Sequence, residues 1–173
     1  NDEESLSIYT SDLDGDGDID ILSSAGDGGN IVWYENTDGE GTFGEQQVID
    51  NEVDPDGEGK VLAADFDGDG DIDVLASFIN DSGTGTIAWY DNTDSNGGFG
   101  QRKTIYDYNS VRNKGSLALA DFDGDGAPDV VNGVLDTQWF RNQLGEADED
   151  GFSGPILIDN SGSSQITTAD VDG

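Results

Sequence analysis

The stretch DLDGDGDID, residues 12–20, places five aspartates and two glycines on nine positions. Without a partner such a run is costly, because neighbouring carboxylates repel one another and glycine favours the unfolded chain. Related stretches recur as DFDGDGDID at residues 65–73 and as DFDGDGAPD at residues 121–129. A fourth copy begins at Asp170 and reads DVDG. The recurrence indicates that each stretch marks one unit of a repeat.

The segments between these acidic loops also repeat. Each loop is preceded by a short apolar run and followed by another, then by an aromatic run that ends in Asn (IVWYEN, IAWYDN, TQWFRN). A Gly/Asp-rich turn, a Phe and an Ile six residues later complete the unit. These later landmarks are Phe43, Phe99, Phe152, Ile49, Ile105 and Ile158. Because no segment shows a helical period, each unit predicts four strands of about five residues.

The loops begin at Asp12, Asp65, Asp121 and Asp170, so they are separated by 53, 56 and 49 residues. A period near 50 with four strands per unit predicts an all-β fold of β-propeller blades, each with four antiparallel strands. About 3.3 repeats are present, with approximate bounds 5–58, 59–114 and 115–163 and a truncated fourth from 164.

Particular residues have predicted packing roles. A small residue precedes each loop, which suits the innermost strand, where blades crowd near the axis; these residues are Ser11, Ala64, Ala120 and Ala169. Trp33, Trp89 and Trp139 are expected to pack between blades. Stacking of sugars on these rings is the alternative. Within the first loop, Leu13 and Ile19 are expected to tie the loop to its blade.

The chain is strongly acidic, with 39 Asp and Glu against six Lys and Arg and a formal net charge of −33. This balance argues against nucleic acid or anionic membrane as a partner and favours cations. The absence of Cys and His excludes thiolate and imidazole ligands and a Ser-His-Asp triad. No apolar run approaches the roughly 18 residues that a membrane-spanning helix needs, so we expect no membrane insertion.

The loops have the pattern DxDxDGxxD, with carboxylates at positions 1, 3, 5 and 9 and a turn-forming Gly at position 6. Oxygen ligands in this number suit Ca²⁺, with the backbone carbonyl of position 7 as a further ligand. We therefore expect about one Ca²⁺ per complete loop. Position 2 is apolar in every loop, as expected of an anchor. The candidate metal-binding residues are Asp12, Asp14, Asp16, Asp18, Asp20, Asp65, Asp67, Asp69, Asp71, Asp73, Asp121, Asp123, Asp125, Ala127, Asp129, Asp170 and Asp172.

Two other interpretations of the loops agree less well with the sequence. An EF-hand needs a Glu at position 12 and flanking helices, whereas this position holds Ser23, Ala76 and Asn132 and the flanks read as strands. The EF-hand and the related dockerin loop are therefore rejected. A solvated turn without metal is disfavoured, because four copies occur in register.

The pattern DxDGDGxxD between two short strands, together with IAWYDNTDSNGGFG and ADFDGDGDIDVLAS, resembles the FG-GAP/VCBS repeat of integrin-alpha-type β-propellers. The resemblance implies a calcium-stabilised blade whose loop joins its first and second strands. Such blades occur in extracellular or cell-surface proteins that serve adhesion or ligand binding, or as accessory modules of polysaccharide-active enzymes. It also implies a propeller of about six to eight blades, of which we expect this chain to be a part.

The first functional hypothesis is a non-catalytic extracellular calcium-binding module, a rigid scaffold for adhesion, extracellular assembly or protein interaction. The alternative is a lectin-like carbohydrate-binding propeller or an accessory module of a polysaccharide-active enzyme. Besides calcium, the expected partners are other extracellular proteins or glycans, with self-assembly also open. A hydrolase or lyase using Glu35 or Asp91 has little support, because no acidic pair recurs outside the loops. We therefore expect no enzyme activity.

Overall fold

The computed structural model describes residues 7–25, 29–53, 59–79, 84–109, 116–133, 136–143, 151–160 and 165–169. Within these ranges the chain forms β-strands and no helix, and hence no helix that is long and apolar enough to cross a bilayer. The strands are β1 (Ser7–Ser11), β2 (Asp20–Ala25), β3 (Asn30–Tyr34), β4 (Gln47–Asp50), β5 (Gly59–Ala64), β6 (Asp73–Ile79), β7 (Thr84–Tyr90), β8 (Lys103–Asn109), β9 (Leu117–Ala120), β10 (Asp129–Asn132), β11 (Thr137–Phe140) and β12 (Ile156–Asp159).

These strands form three four-stranded antiparallel sheets in sequence order, here called the first blade (β1–β4), the second blade (β5–β8) and the third blade (β9–β12). In each blade the acidic loop joins the first two strands. The residue before the loop pairs with the aspartate at position 9, as in Ser11 with Asp20 and Ala64 with Asp73. The predicted all-β fold, with four antiparallel strands in each complete repeat, is confirmed.

The hydrophobic core lies between blades rather than within one. Leu22 and Trp33 of the first blade pack with Val61, Val74 and Tyr90 of the second. A second cluster joins the second blade to the third in the same way. Burying a side chain such as Leu or Val contributes about 1.5–3 kcal/mol. Each blade is therefore stabilised mainly by its neighbours, as blade-to-blade packing in a propeller requires.

A register shift in the outer strand pair recurs in all three blades. In the first blade Val32 pairs with Val48 and Ile31 with Asp50, so Ile49 is an extra residue on β4. Ile105 and Ile158 occupy the same place in β8 and β12. A bulge of this kind redirects a side chain. Ile49 and Ile105 pack against the two inter-blade clusters, which explains why an Ile recurs at this landmark.

The first strands of successive blades lie side by side. The Val61 N–H of β5 donates to Ser7 Oγ of β1 (3.3 Å). Residues 165–169 lie along β9 in the same manner, since the Ile166 N–H donates to Ser116 Oγ (2.6 Å). Ser11, Ala64 and Ala120 end these neighbouring first strands, and their proximity to a propeller axis stays a prediction.

The tryptophans of the first two blades are buried. Trp33 and Trp89 are 2% and 5% exposed, which confirms their packing role. Gly97, at φ +74°, lies against Trp33, and a Cβ there would be 2.2 Å from Trp33 Cζ2. Trp139 is half-buried and meets the ring of Phe122 edge-on.

The expectation for Ile19 is wrong, because its side chain is 55% exposed. Successive residues of a strand point to opposite sides. Asp20 is fully buried, so Ile19 directly before it faces solvent. Leu13 is an anchor, at 1% exposed, but its cluster includes residues of the following blade as well as its own.

Candidate metal centres

Each complete acidic loop brings three of its aspartates together. The carboxylates at positions 1, 3 and 9 each offer an oxygen within 4.8 Å of the other two. The three clusters are Asp12, Asp14 and Asp20; Asp65, Asp67 and Asp73; and Asp121, Asp123 and Asp129. Three convergent carboxylates are a suitable set for a hard divalent cation.

The aspartate at position 1 holds the loop in shape. Asp12 Oδ1 accepts a hydrogen bond from the Gly15 N–H (2.9 Å), and Oδ2 accepts one from the Gly17 N–H (3.0 Å). Asp65 and Asp121 accept the equivalent bonds. Gly17 has φ +97°, a conformation that side-chain-bearing residues rarely adopt. The turn that gathers the carboxylates therefore requires the Gly at position 6.

The aspartate at position 9 is completely buried in all three loops. Asp73 Oδ2 accepts from the Phe66 N–H (2.9 Å) and Oδ1 from the Asn92 N–H (2.8 Å). Asp20 and Asp129 make the same pair of bonds. Burial raises the pKa of Asp73 to about 7, although the two amides oppose it and the charges of Asp67 and Asp91 add to it. A cation at the cluster would stabilise the charged carboxylate.

The predicted ligands at positions 5 and 7 are placed differently. Asp16 Oδ1 accepts from the Asp18 N–H (2.8 Å), and Asp16 is exposed and outside the three-carboxylate cluster. The side chain of Asp71 accepts from Ser95 Oγ (2.6 Å), and Ala127 is buried. The position-7 side chains thus take part in packing and turn contacts, and a carbonyl ligand from this position stays a prediction. Asp170 and Asp172 lie outside the described residues.

The residue after each aromatic pair also faces the loop, which the repeat pattern did not reveal. The pKa of Asp14 is raised, first by burial. The negative charges of Asp20, Asp16 and Glu35 raise it further. Asp91 acts in the same way on Asp67. In the third blade this position is Arg141, whose guanidinium forms ion pairs with Asp123 and Asp125. Aligning the repeats at WYEN, WYDN and WFRN gives the signal that could have found this position.

The first and second loops are also bound to the blade that follows them. The Asn92 side-chain amide donates to the carbonyl of Leu13 (2.8 Å), at position 2 of the first loop. Asn142 donates in the same way to the carbonyl of Phe66 (2.7 Å). Both Asn residues also hold the position-9 aspartate of their own loop through their backbone N–H. A single Asn therefore connects two successive candidate metal centres.

The fold and the loops define blades of propeller type, each with an acidic loop whose carboxylates could hold a metal ion. Residues 12–76 and 65–131 match the family model of FG-GAP-like repeats. Since the two matches span more than half of the chain, this protein belongs to the FG-GAP-like repeat family.

Among solved structures, the chain is similar to a lectin of Agrocybe aegerita, whose structure describes specific recognition of non-reducing terminal N-acetylglucosamine. The TM-score is 0.62 at 24% sequence identity, and the match covers 91% of this chain and 39% of the lectin chain. This likeness concerns the fold. No curated protein matches the chain.

Proposed function

We propose that this chain is a non-catalytic, calcium-binding propeller segment that acts as a rigid extracellular scaffold for adhesion, assembly or protein interaction. The observation that carries the proposal is the recurrence of one carboxylate cluster, with one fully buried member, at the same hairpin of three successive blades. Membership of the FG-GAP-like repeat family supports it. An ion at this hairpin would connect the first and second strands. It would also place a compensating positive charge beside the buried aspartate.

The donor set fits calcium. Positions 1, 3 and 9 supply three carboxylates, and position 5 and the carbonyl of position 7 would bring the number of oxygens toward the six to eight that Ca²⁺ takes. Mg²⁺ prefers a strict octahedron and retains its waters. The metal that we propose for these loops is therefore Ca²⁺.

Calorimetric titration with Ca²⁺, with Mg²⁺ as the comparison, tests the calcium assignment. We expect saturable Ca²⁺ uptake and much weaker binding of Mg²⁺. Asp14→Asn should remove one equivalent, whereas Asp107→Asn, an exposed position on β8, should remove none. Absence of Ca²⁺ uptake by the unaltered protein would overturn the proposal.

The lack of catalysis and the extracellular location are parts of the same proposal. Glu35 and Asp91, the acids weighed for hydrolysis, both lie beside the loops, and Asp91 forms an ion pair with Lys103 (2.7 Å). Extracellular calcium modules bind at about 10⁻⁴–10⁻³ M, which suits exposed loops such as these. Fractionation of source cells tests the location, and recovery of the protein in the cytoplasm alone would contradict it.

Further blades would complete the propeller. Leu13 and Ile49 of the first blade pack in the cluster that it shares with the second blade. Their counterparts in the third blade, Phe122 and Ile158, are 46% and 58% exposed among the described residues. This apolar face has the chemistry of a blade interface, and we propose that another blade covers it.

Carbohydrate binding is the second candidate function, and a groove between the first two blades favours it. The groove has a volume of about 650 Å³, and its lining includes Asp50, Tyr90, Phe99, Gln101 and Arg102. Aromatic rings and charged groups that donate or accept hydrogen bonds are suitable for sugars. A glycan array in calcium, including glycans that end in N-acetylglucosamine, tests this role. Calcium-dependent binding that Gln101→Ala abolishes would favour it, and an array without signal would exclude it for the glycans present.

A further inference from the structure

The three candidate metal centres differ in the charge of one neighbouring residue. In each blade the Asn that follows this residue donates its backbone N–H to the position-9 aspartate, at 2.7–2.9 Å. The preceding residues therefore occupy equivalent places beside the loop. They are Glu35 in the first blade, Asp91 in the second and Arg141 in the third.

The first two loops have an acid at this place. The charge of Glu35 contributes to the raised pKa of Asp14, and that of Asp91 to the raised pKa of Asp67. Lys103 neutralises part of this charge in the second blade through its ion pair with Asp91. Both loops nevertheless keep their carboxylates free of a basic side chain among the described ion pairs.

The third loop contains a basic side chain. Arg141 Nε contacts Asp123 Oδ2, and an Arg141 terminal nitrogen lies 3.5 Å from Asp125 Oδ2. Asp123 belongs to the three-carboxylate cluster, and Asp125 is the predicted ligand at position 5. The guanidinium thus uses carboxylates that a metal ion would need.

We propose that Arg141 is a built-in counter-cation of the third loop, so that this loop binds Ca²⁺ more weakly than the first two and stays folded with less dependence on it. The inference rests on the proposed calcium function. A guanidinium a few ångströms from a dication, even when screened by water, is enough to weaken binding by about tenfold. Calcium binding would also displace the ion pairs of Arg141 with Asp123 and Asp125, and this loss weakens binding further.

Calcium titration of the unaltered protein and of Arg141→Gln tests the proposal. We expect two Ca²⁺ ions to bind with higher affinity, here called the tight classes. A third Ca²⁺ ion should bind about tenfold more weakly, here called the weak class. Arg141→Gln should tighten the weak class by about tenfold and leave the tight classes unchanged. Arg141→Glu, which introduces the first blade's residue, should tighten it further. Lys60→Gln is the control, because it removes one positive charge at the opposite end of β5 from the loop and should change none of the classes.

Two further variants assign the classes. Asp123→Asn should abolish the weak class, and Asp14→Asn should abolish a tight one. Three equal sites in the unaltered protein, a weak class that Arg141→Gln does not change, or loss of a tight class in Asp123→Asn would each overturn the proposal. Retention of the tight classes in each Arg141 variant shows that it is folded. Absence of all calcium uptake would instead refute the proposed function itself.

Discussion

At the scale of single residues, Asp73 combines complete burial with a raised pKa. It is fully buried, and its pKa is raised to about 7 by burial, with contributions from neighbouring acids. Its two carboxylate oxygens accept hydrogen bonds from the backbone N–H groups of Phe66 and Asn92. These bonds join the loop to the end of β7. The same carboxylate therefore closes the loop and faces the candidate ion.

Replacing Asp73 by Asn tests the structural part of this role. We expect Asp73→Asn to lower the free energy of unfolding in calcium by about 1–3 kcal/mol, because an amide NH₂ would oppose one of the two backbone donors. Urea denaturation measures the loss. Asp107→Asn, an exposed change of the same kind on β8, should cost a few tenths of a kcal/mol at most. Equal losses in the two variants would contradict this role.

The sequence predicted the clustered aspartates at positions 1, 3 and 9 because their geometry depends on a short loop with a Gly at position 6. It did not predict Arg141 beside Asp123, since that contact depends on where β11 ends relative to a loop before β10. The exposure of Ile19 was also missed. Ile19, at position 8 of the first loop, is apolar, which suggested a buried anchor. Its side chain faces solvent because the neighbouring Asp20 is the buried residue.

At the scale of strands and blades, the two described interfaces use different chemistry. Between the first and second blades, Asp50 accepts hydrogen bonds from the Tyr90 hydroxyl (2.6 Å) and Arg102 Nε (2.8 Å). At the equivalent place between the second and third blades, Tyr106 packs on Phe140 with ring centroids 5.2 Å apart. Of these two contacts, the first includes a buried charge, since the Asp50 side chain is 8% exposed, and the second joins two aromatic rings.

This difference predicts a pH dependence at the first interface. Burial would raise the pKa of Asp50, but hydrogen bonds from Tyr90, the Glu52 amide and Arg102 outweigh burial and lower it. A lowered folded-state pKa contributes stability that is present above the unfolded value of about 3.9 and is lost as pH falls through the folded value. Arg102→Gln should therefore destabilise the protein by about 1–3 kcal/mol at pH 7, with a difference from the unaltered protein that shrinks below pH of about 4.

Thermal melts of both proteins from pH 7 to pH 3 measure this difference. The loop aspartates are the same in both proteins, so their contribution cancels in the comparison. A difference that stays constant over this range would contradict the assigned role of the ion pair.

The Asn that links successive loops makes a second prediction at this scale. Asn92→Ala removes the hydrogen bond to the Leu13 carbonyl, so it should weaken calcium binding at the first loop although the change lies in the second blade. We expect a loss of stability of about 1–3 kcal/mol, because a buried carbonyl loses its donor. Asn142→Ala is the matched control, since its side-chain amide makes the equivalent bond to the Phe66 carbonyl of the second loop and the change should leave the first site unaltered. Equal effects of the two changes on the first site would refute coupling across blades.

The repeated pattern predicted the strands and their order, because apolar runs and turn residues are local signals. It marked Ile49, Ile105 and Ile158 as landmarks without showing that each is the extra residue of a bulge. A bulge depends on the pairing of two strands that a turn of variable length separates. The contacts of Asp50 and Tyr106 between blades likewise depend on residues of the facing blade, which are distant in the sequence.

At the scale of the whole molecule, the stability of the blades should depend on calcium. Each site adds about 1.4 kcal/mol when free Ca²⁺ is about ten times the dissociation constant. Against a typical net stability of about 5–15 kcal/mol, two or three sites are a large part. EGTA should therefore lower the melting temperature by several degrees, and added Ca²⁺ should restore it. EGTA presaturated with Ca²⁺ is the control, and an unchanged melt in free EGTA would contradict a structural role for the ion.

The links from the first and second loops to the blades that follow them give the array a direction. Leu13 and Phe66 insert toward the blade that comes later in the chain, and the Asn that binds their carbonyls belongs to that later blade. A ribosome makes the chain in the same order, so each anchoring side chain is synthesised before the blade that covers it. The growing polypeptide therefore carries one uncovered anchor at its newest blade, and exposed apolar surface of this kind is prone to aggregation. Slow translation between repeats would prolong this exposure, whereas rapid synthesis of the next β-hairpins would end it.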